Sequence, residues 1–178
     1  MPPVEGAQTL VLGDGRRLAY EQFGDPGGEP LVFLHGWGDS RLTRHPDDSI
    51  ARALGVRLIT VDRPGAGGSD FQPGRRLLDW PADVAALADS LGIRRFAVLG
   101  WSGAGPHAAA CAHALPERVT RLGIACGFAP IERREHARGL PRDLRLGLPL
   151  LRRAPWVGRI FFAGLPRRYR RDPARAFE

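Results

Sequence analysis

The sequence predicts an α/β fold: a mostly parallel sheet with helices on both faces and an antiparallel hairpin at its N-terminus. Three observations predict this fold. From residue 30 onward, short apolar runs of strand length alternate with segments of helical composition. The first of these runs is continuously apolar, which is typical of a strand buried on both faces of a parallel sheet. Ahead of it, two strand-like segments flank Gly13-Asp14-Gly15, and this spacing is a hairpin signal.

The first predicted elements are strands. Residues 9–12 and 17–23 form the two sides of the hairpin, and the glycine-rich residues 24–28 end the second side. Residues 31–34 read Leu-Val-Phe-Leu. This run therefore predicts the first strand of the parallel part of the sheet.

Helices and strands then alternate. A short helix is predicted over 49–54 and a strand over 57–61. Asp79 is a good N-cap and Pro81 fits a first helical turn, so a helix is predicted from 79 to 91. Apolar residues recur along it at helical spacing, and a glycine follows its last residue.

The last predicted elements surround a serine. Residues 96–99 are an apolar run, the alanine-rich 107–115 has helical composition, and 121–126 predicts one more strand. Between the first two stands Gly-Trp-Ser-Gly-Ala-Gly, residues 100–105. A serine between small residues at a strand-to-helix junction has the arrangement of a nucleophile elbow. The alternative is a loop rich in glycine and serine that only joins strand to helix.

Ser102 is the candidate nucleophile of this turn. Gly100 and Ala104 lie two residues to either side of it, where larger side chains would collide in a sharp turn. Ala104 stands where the usual G-x-S-x-G pattern has its last glycine. The helix that follows directs the positive end of its dipole at the serine.

The composition changes after residue 130, which predicts a core over 1–130 and a second segment over 131–178. The second segment is rich in arginine, leucine and proline and shows no strand pattern. We interpret it as a helical cap over an apolar pocket. Two alternatives are a helix lying on a membrane surface and ordinary amphipathic helices packed on a core.

The net charge of +7 belongs to the second segment. Residues 1–130 hold 13 Arg against 14 Asp and Glu, a net charge of −1, and residues 131–178 hold 13 Arg against 5, a net charge of +8. Every basic residue is arginine and none is lysine. Genomic base composition explains this better than phosphate binding does, so no nucleic-acid partner is inferred.

Other features bound the location and the chemistry. No apolar run reaches the roughly 20 residues that a membrane span needs, and the N-terminus has no signal-peptide pattern. A cytoplasmic protein is therefore predicted. Cys111 and Cys126 lie in no Cys/His spacing motif; we expect two buried free thiols, no metal and no cofactor. The oligomeric state stays open.

Three loops follow three successive predicted strands: His35-Gly36-Trp37, Asp62-Arg63-Pro64-Gly65 and the turn at Ser102. In this order, these motifs are similar to those of the α/β-hydrolase family, and the resemblance spans about residues 8–130. It implies an incomplete fold of the α/β-hydrolase type, because the chain ends where the family continues with further strands.

The resemblance also implies roles for individual residues. Ser102 would be the nucleophile, and the backbone N–H groups of Trp37 and Gly103 would form the oxyanion hole. His35-Gly36 would support the oxyanion loop, in part through a hydrogen bond from His35. Asp62 would order its own loop and would not act as the triad acid.

Two members of the family's triad are missing from the sequence. The triad follows the chain order Ser, then Asp or Glu, then His, and after the elbow helix the sequence holds only His136. No residue is identified as the general base. We therefore expect an N-terminal portion of an α/β-hydrolase, a truncated chain that has little activity alone, because triad members act as a unit.

The implied function is that of a serine hydrolase. It would cleave an ester, thioester or amide of a small-molecule acyl substrate through an acyl-enzyme on Ser102, as a carboxylic ester hydrolase or an aminopeptidase-like enzyme. Serine in place of aspartate argues against dehalogenase and epoxide hydrolase chemistry, while cofactor-free haloperoxidase-like members remain open. The alternative is a non-catalytic binding or scaffold protein, or an inactive gene fragment.

Overall fold

A computed structural model of the chain describes residues 8–127 and the single positions 142, 153, 154, 156 and 157. The chain divides into two units, Met1–Phe128 and Ala129–Glu178, and the fold below is that of the first. The predicted cap over 131–178 and the boundary after residue 130 lie almost wholly outside the described residues. Both stay predictions.

Residues 8–127 contain six strands, three α-helices and two 3₁₀ turns. The strands are β1 Gln8–Val11, β2 Arg17–Gly24, β3 Glu29–Leu34, β4 Val56–Val61, β5 Phe96–Trp101 and β6 Val119–Ala125. The helices are α1 Asp48–Ala53, α2 Trp80–Ser90 and α3 Gly105–Ala114, and the 3₁₀ turns are Leu77–Asp79 and Ser102–Ala104. Each predicted strand and helix is present, with its ends moved by a few residues.

The strands form one mixed sheet in the order β1-β2-β4-β3-β5-β6. The β1–β2 and β2–β4 pairs are antiparallel, and the β3–β4, β3–β5 and β5–β6 pairs are parallel. The predicted fold class is therefore confirmed. From β3 the chain moves to β4 on one side and then crosses to β5 on the other, so the order reverses between β3 and β5. Ligands of such sheets bind at this reversal, outside the carboxyl ends of the strands.

The core lies between the sheet and the helices α2 and α3. Strands β3 and β4 supply Leu34, Ile59 and Val61, all fully buried, and α2 contributes Val84 and Leu87 at helical spacing. The predicted N-cap of α2 differs in detail. Asp79 immediately precedes the helix, but its carboxylate accepts a hydrogen bond from the Arg76 backbone N–H (2.6 Å) and so closes the preceding 3₁₀ turn.

The two cysteines differ in burial. Cys111 on α3 is buried, and burial raises the pKa of its thiol to about 12. Cys126 is exposed, so the prediction of two buried thiols is wrong for this residue. Cys126 directly follows β6, the last strand of the sheet, where only β5 pairs with it among the described residues. The run over 121–126 predicted a strand, and this strand lies at the edge of the described sheet.

No helix among the described residues is long and apolar enough to cross a membrane.

Candidate active site

The turn after β5 holds Ser102 in a strained conformation. The strand ends at Trp101, a 3₁₀ turn covers Ser102–Ala104, and α3 begins at Gly105. Ser102 has φ of +50°. A residue with a side chain rarely adopts this left-handed conformation, and such strain concentrates at functional sites. The serine also precedes the first turn of α3, at the positive end of that helix dipole.

Small residues let α3 approach β5 closely. A Cβ atom added at Gly100 would lie 2.7 Å from the Ala104 carbonyl oxygen and 2.8 Å from the Ala108 Cβ. Ala104 is fully buried beneath the turn. The crowding explains why both positions two residues from Ser102 carry small side chains.

The loop after β3 lies against this turn. A Cβ atom added at Gly36 would lie 3.3 Å from the Ser102 Cβ, and one added at Gly103 would lie 3.2 Å from the Trp37 backbone nitrogen. The structure therefore brings together Ser102 and the two residues predicted to donate oxyanion N–H groups. This proximity follows from the pairing of β3 with β5, which places Leu34 beside Gly100.

Two indole rings lie beside the serine. Trp37 is 63% exposed and Trp101 is 42% exposed. The Trp37 ring is close to Gly103, because a Cβ atom there would lie 2.7 Å from the indole Cδ1. The Trp101 ring is close to Gly36, because a Cβ atom added there would lie 3.2 Å from the indole Cδ1 of Trp101. The Trp37 and Trp101 rings together form an aromatic rim beside the serine turn.

His35 is buried behind the oxyanion loop. Its Nε2 accepts a hydrogen bond from the Arg63 backbone N–H (3.1 Å), so the ring proton is on Nδ1, which donates to the Gly36 carbonyl oxygen (2.9 Å). Burial, and then the charge of Arg63, lowers the pKa of His35 below its usual value. His35 is therefore a neutral support of this loop with both ring nitrogens occupied.

Arg63 is the residue of this site to which sequence reasoning assigned no role. Its side chain is buried, with 6% exposure, and its Nη2 donates a 2.6 Å hydrogen bond to the Gly36 carbonyl oxygen. Burial lowers the pKa of its guanidinium. The only sequence signal was its position two residues after a parallel strand, in the same loop as Asp62.

Asp62 connects the loop after β3 to the loop after β4. Its fully buried carboxylate accepts hydrogen bonds from the Arg41 backbone N–H (2.6 Å), the Arg41 Nη1 (2.7 Å) and the Gly68 backbone N–H (2.8 Å). Arg41 also pairs with Glu21 on β2 (3.0 Å). These hydrogen bonds join the Asp62 carboxylate to both loops, and its role in ordering its own loop stays a prediction.

Comparison with known proteins decides the family. Residues 29–160 match the family described as alpha/beta hydrolase fold, and this range contains the whole site described above. The chain belongs to the alpha/beta hydrolase fold family. In this family the serine elbow and an N–H from the loop after an earlier strand act together on one substrate oxygen.

Known proteins resemble this chain over about two thirds to three quarters of its length. It is 35% identical over 126 residues to a non-heme chloroperoxidase of Streptomyces lividans, which covers 69% of this chain and 45% of that protein. It is 36% identical over 123 residues to a proline iminopeptidase of Xylella fastidiosa (64% and 37%). The structure of an esterase from Exiguobacterium antarcticum superposes with a TM-score of 0.65 and 26% identity over 76% of this chain and 52% of that one. The chain spans less than half the length of these two curated relatives.

The described residues include four histidines, at positions 35, 45, 107 and 113. His107 lies on α3, where burial lowers its pKa to about 4, and its ring packs edge-on against Trp80 with centroids 6.5 Å apart. His45 and His113 are exposed, and His136 lies outside the described part of the chain. The described residues also contain no group of side chains that could hold a metal ion.

A cavity among the described residues lies away from Ser102. It has a volume of about 720 Å³ and is lined by residues 92–95, 117 and 118 and by Asp89. These residues precede β5 and β6, so the cavity is at the amino ends of the strands, opposite Ser102.

Proposed function

We propose that this chain carries the nucleophile and the oxyanion hole of a serine hydrolase. Ser102 is the nucleophile, and the backbone N–H groups of Trp37 and Gly103 hold the substrate oxygen. The substrate is a small molecule with an ester, thioester or amide bond. One observation carries the proposal: Ser102, at φ +50° between β5 and α3, lies against the Gly36–Trp37 loop.

The proposed reaction runs in two steps. Ser102 Oγ attacks the substrate carbonyl carbon, the oxygen becomes negatively charged between the two N–H groups, and the alcohol, thiol or amine leaves. Water then hydrolyses the acyl-enzyme. The Ser102 proton needs an acceptor, and we propose a histidine outside the described residues for that role. Loss of one oxyanion donor typically costs about 3 kcal/mol in the barrier.

The aromatic rim favours a substrate with an apolar part next to the scissile bond. Trp37 and Trp101 offer ring surface beside Gly103 and Gly36, the glycines that adjoin the Ser102 side chain, and such rings bind apolar groups well. The relatives are named as an esterase, an iminopeptidase and a chloroperoxidase. We propose a carboxylic ester hydrolase or an aminopeptidase-like enzyme. Its cytoplasmic location stays a prediction from the sequence.

A fluorophosphonate probe tests the nucleophile. The protein is expressed from its complete reading frame, incubated with the probe and digested, and the labelled peptide is identified by mass spectrometry. We expect label on Ser102, loss of label in Ser102→Ala, and full labelling in Ser90→Ala, a matched serine whose Oγ only bonds the Leu87 carbonyl oxygen (2.8 Å). A wild-type protein that carries no label on Ser102 contradicts the proposal.

A non-catalytic binding protein is the second candidate. One observation favours it: among the described histidines, His35 has both ring nitrogens occupied, and the half-buried His107 packs edge-on against Trp80. The coding sequence after Glu178 separates the two candidates. A frame that continues to an Asp or Glu and then a His supports the enzyme, whereas a stop codon there supports the binding protein.

A further inference from the structure

The peptide between Gly36 and Trp37 is held from its carbonyl side. The Gly36 oxygen accepts two hydrogen bonds, from Arg63 Nη2 at 2.6 Å and from His35 Nδ1 at 2.9 Å. The structure contains no cis peptide bond among its described residues. In a trans peptide the carbonyl and the N–H point in opposite directions in one plane. Two donors on the Gly36 oxygen therefore fix the direction in which Trp37 N–H points.

The buried charge of Arg63 has no structural explanation among the described residues. No carboxylate there lies within 4.0 Å of the guanidinium, and its Nε has no hydrogen-bond partner. The bond to the Gly36 oxygen is the one side-chain hydrogen bond that it makes in the described part of the chain. Burial and the charge of Arg75 lower the pKa of Arg63 and the charge of Asp39 raises it, but no ion pair forms among the described residues. A buried cation without an ion-pair partner is destabilising. Residues that lower the stability of the fold in this way are typical of functional sites.

A charged donor also changes the peptide electronically. Charge-assisted hydrogen bonds are shorter and stronger than neutral ones, and a bond to one end of a peptide polarises the other end. The guanidinium on the Gly36 oxygen therefore makes Trp37 N–H a stronger donor. The positive charge is placed one peptide unit away from the position where the substrate oxygen becomes negative.

We infer that Arg63 is a positioning residue of the oxyanion hole, which aims and polarises Trp37 N–H through the Gly36 carbonyl. The inference rests on the proposed hydrolase function. Arg63 does not touch the substrate in this arrangement, because the peptide lies between them. Its effect belongs to the transition state, in which the oxyanion forms, and not to substrate binding.

Steady-state kinetics of Arg63→Met test the inference in the protein from the complete reading frame. We expect kcat for a p-nitrophenyl ester to fall about tenfold to hundredfold, because the variant loses part of the transition-state stabilisation that an oxyanion donor provides. We expect KM to change less than about twofold, because substrate binding does not involve this interaction. Arg63→Lys keeps the charge and is expected to recover part of kcat. The control is Arg57→Met, a partly buried arginine at the other end of β4 that bonds the Gln22 side chain (2.6 Å). A folded Arg63→Met with unchanged kcat, or with its loss entirely in KM, overturns the inference.

A spectroscopic measurement gives a result that does not depend on activity. Labelling glycine with ¹³C at the carbonyl and tryptophan with ¹⁵N selects Gly-Trp pairs, and the printed sequence has two, Gly36-Trp37 and Gly100-Trp101. In Arg63→Met we expect the Gly36-Trp37 signal to shift in both nuclei and the Gly100-Trp101 signal to move less. Unchanged Gly36-Trp37 shifts in a folded variant overturn the inference. A wild-type protein without esterase activity or label contradicts the proposed function instead, and the shifts still decide the role of Arg63.

Discussion

Replacement of Gly100 by alanine tests the packing that supports the serine turn. The new Cβ would lie 2.7 Å from the Ala104 carbonyl oxygen and 2.8 Å from the Ala108 Cβ. The first atom belongs to the backbone of the 3₁₀ turn and the second to the first turn of α3, so neither can rotate away as the end of a long side chain would. Gly100 does not have a left-handed φ, so no backbone strain adds to the steric clash.

The magnitude follows from two opposing contributions. Overpacking of a rigid site costs about 1–3 kcal/mol, and Gly→Ala lowers the entropy of the unfolded chain, which stabilises by about 0.4–1 kcal/mol. The net loss is about 1–2 kcal/mol at the midpoint. For a chain of this size each kcal/mol lowers Tm by about 2–4 °C, so we expect a fall of several degrees.

Thermal unfolding followed by circular dichroism measures this shift. The control is Gly13→Ala, because a Cβ atom there meets nothing within 4 Å and the backbone is not left-handed. We expect its Tm to equal or slightly exceed that of the wild type. A Gly100→Ala protein with the wild-type Tm would refute the close packing of α3 on β5.

Three further outcomes are expected. Asp62→Asn leaves Arg41 buried without its closest carboxylate, which lowers the free energy of unfolding by about 3–5 kcal/mol; an unchanged urea midpoint would contradict this. His107 has a folded pKa of about 4 and an unfolded pKa of about 6.5. Between these pH values the unfolded chain binds more protons than the folded chain, so the free energy of unfolding falls as pH drops from about 6.5 to about 4. His107→Phe should lose less stability over that range in urea titrations at pH 7 and pH 4.5, and an equal loss would show that His107 is not responsible. Hydrogen exchange should show stronger protection at residues 96–99 than at 156–165, and equal protection would mean that the predicted cap is part of a core.

The strands and the serine turn were predictable because their signals are local. Residues 31–34 and 96–99 are apolar without interruption, which only a strand covered on both faces requires. Gly100 and Ala104 identified the sharp turn, because its crowding comes from neighbours only two residues away. The same locality explains the agreement for α2, whose apolar residues recur at helical spacing.

The remaining features could not be predicted from local patterns, because most of them depend on the order of the strands in the sheet. Arg63 reaches the Gly36 carbonyl only because β4 pairs with β3, and its burial could not be inferred from its position in a loop. The exposure of Cys126 goes with the position of β6 at the edge of the described sheet, which the run before it does not indicate. The carboxylate of Asp79 accepts its hydrogen bond from the preceding 3₁₀ turn and not from the helix. Composition does not decide which backbone N–H group the carboxylate binds.

The pairing of β3 with β5 has a consequence for how such proteins diversify. The turn at Ser102 and the loop at Gly36 are fixed relative to each other by adjacent strands. Segments inserted after other strands can change length and sequence without altering that distance. Selection can therefore exchange the parts that choose a substrate while the parts that handle its carbonyl group are inherited intact, and one ancestral core can give rise to descendants with different specificities.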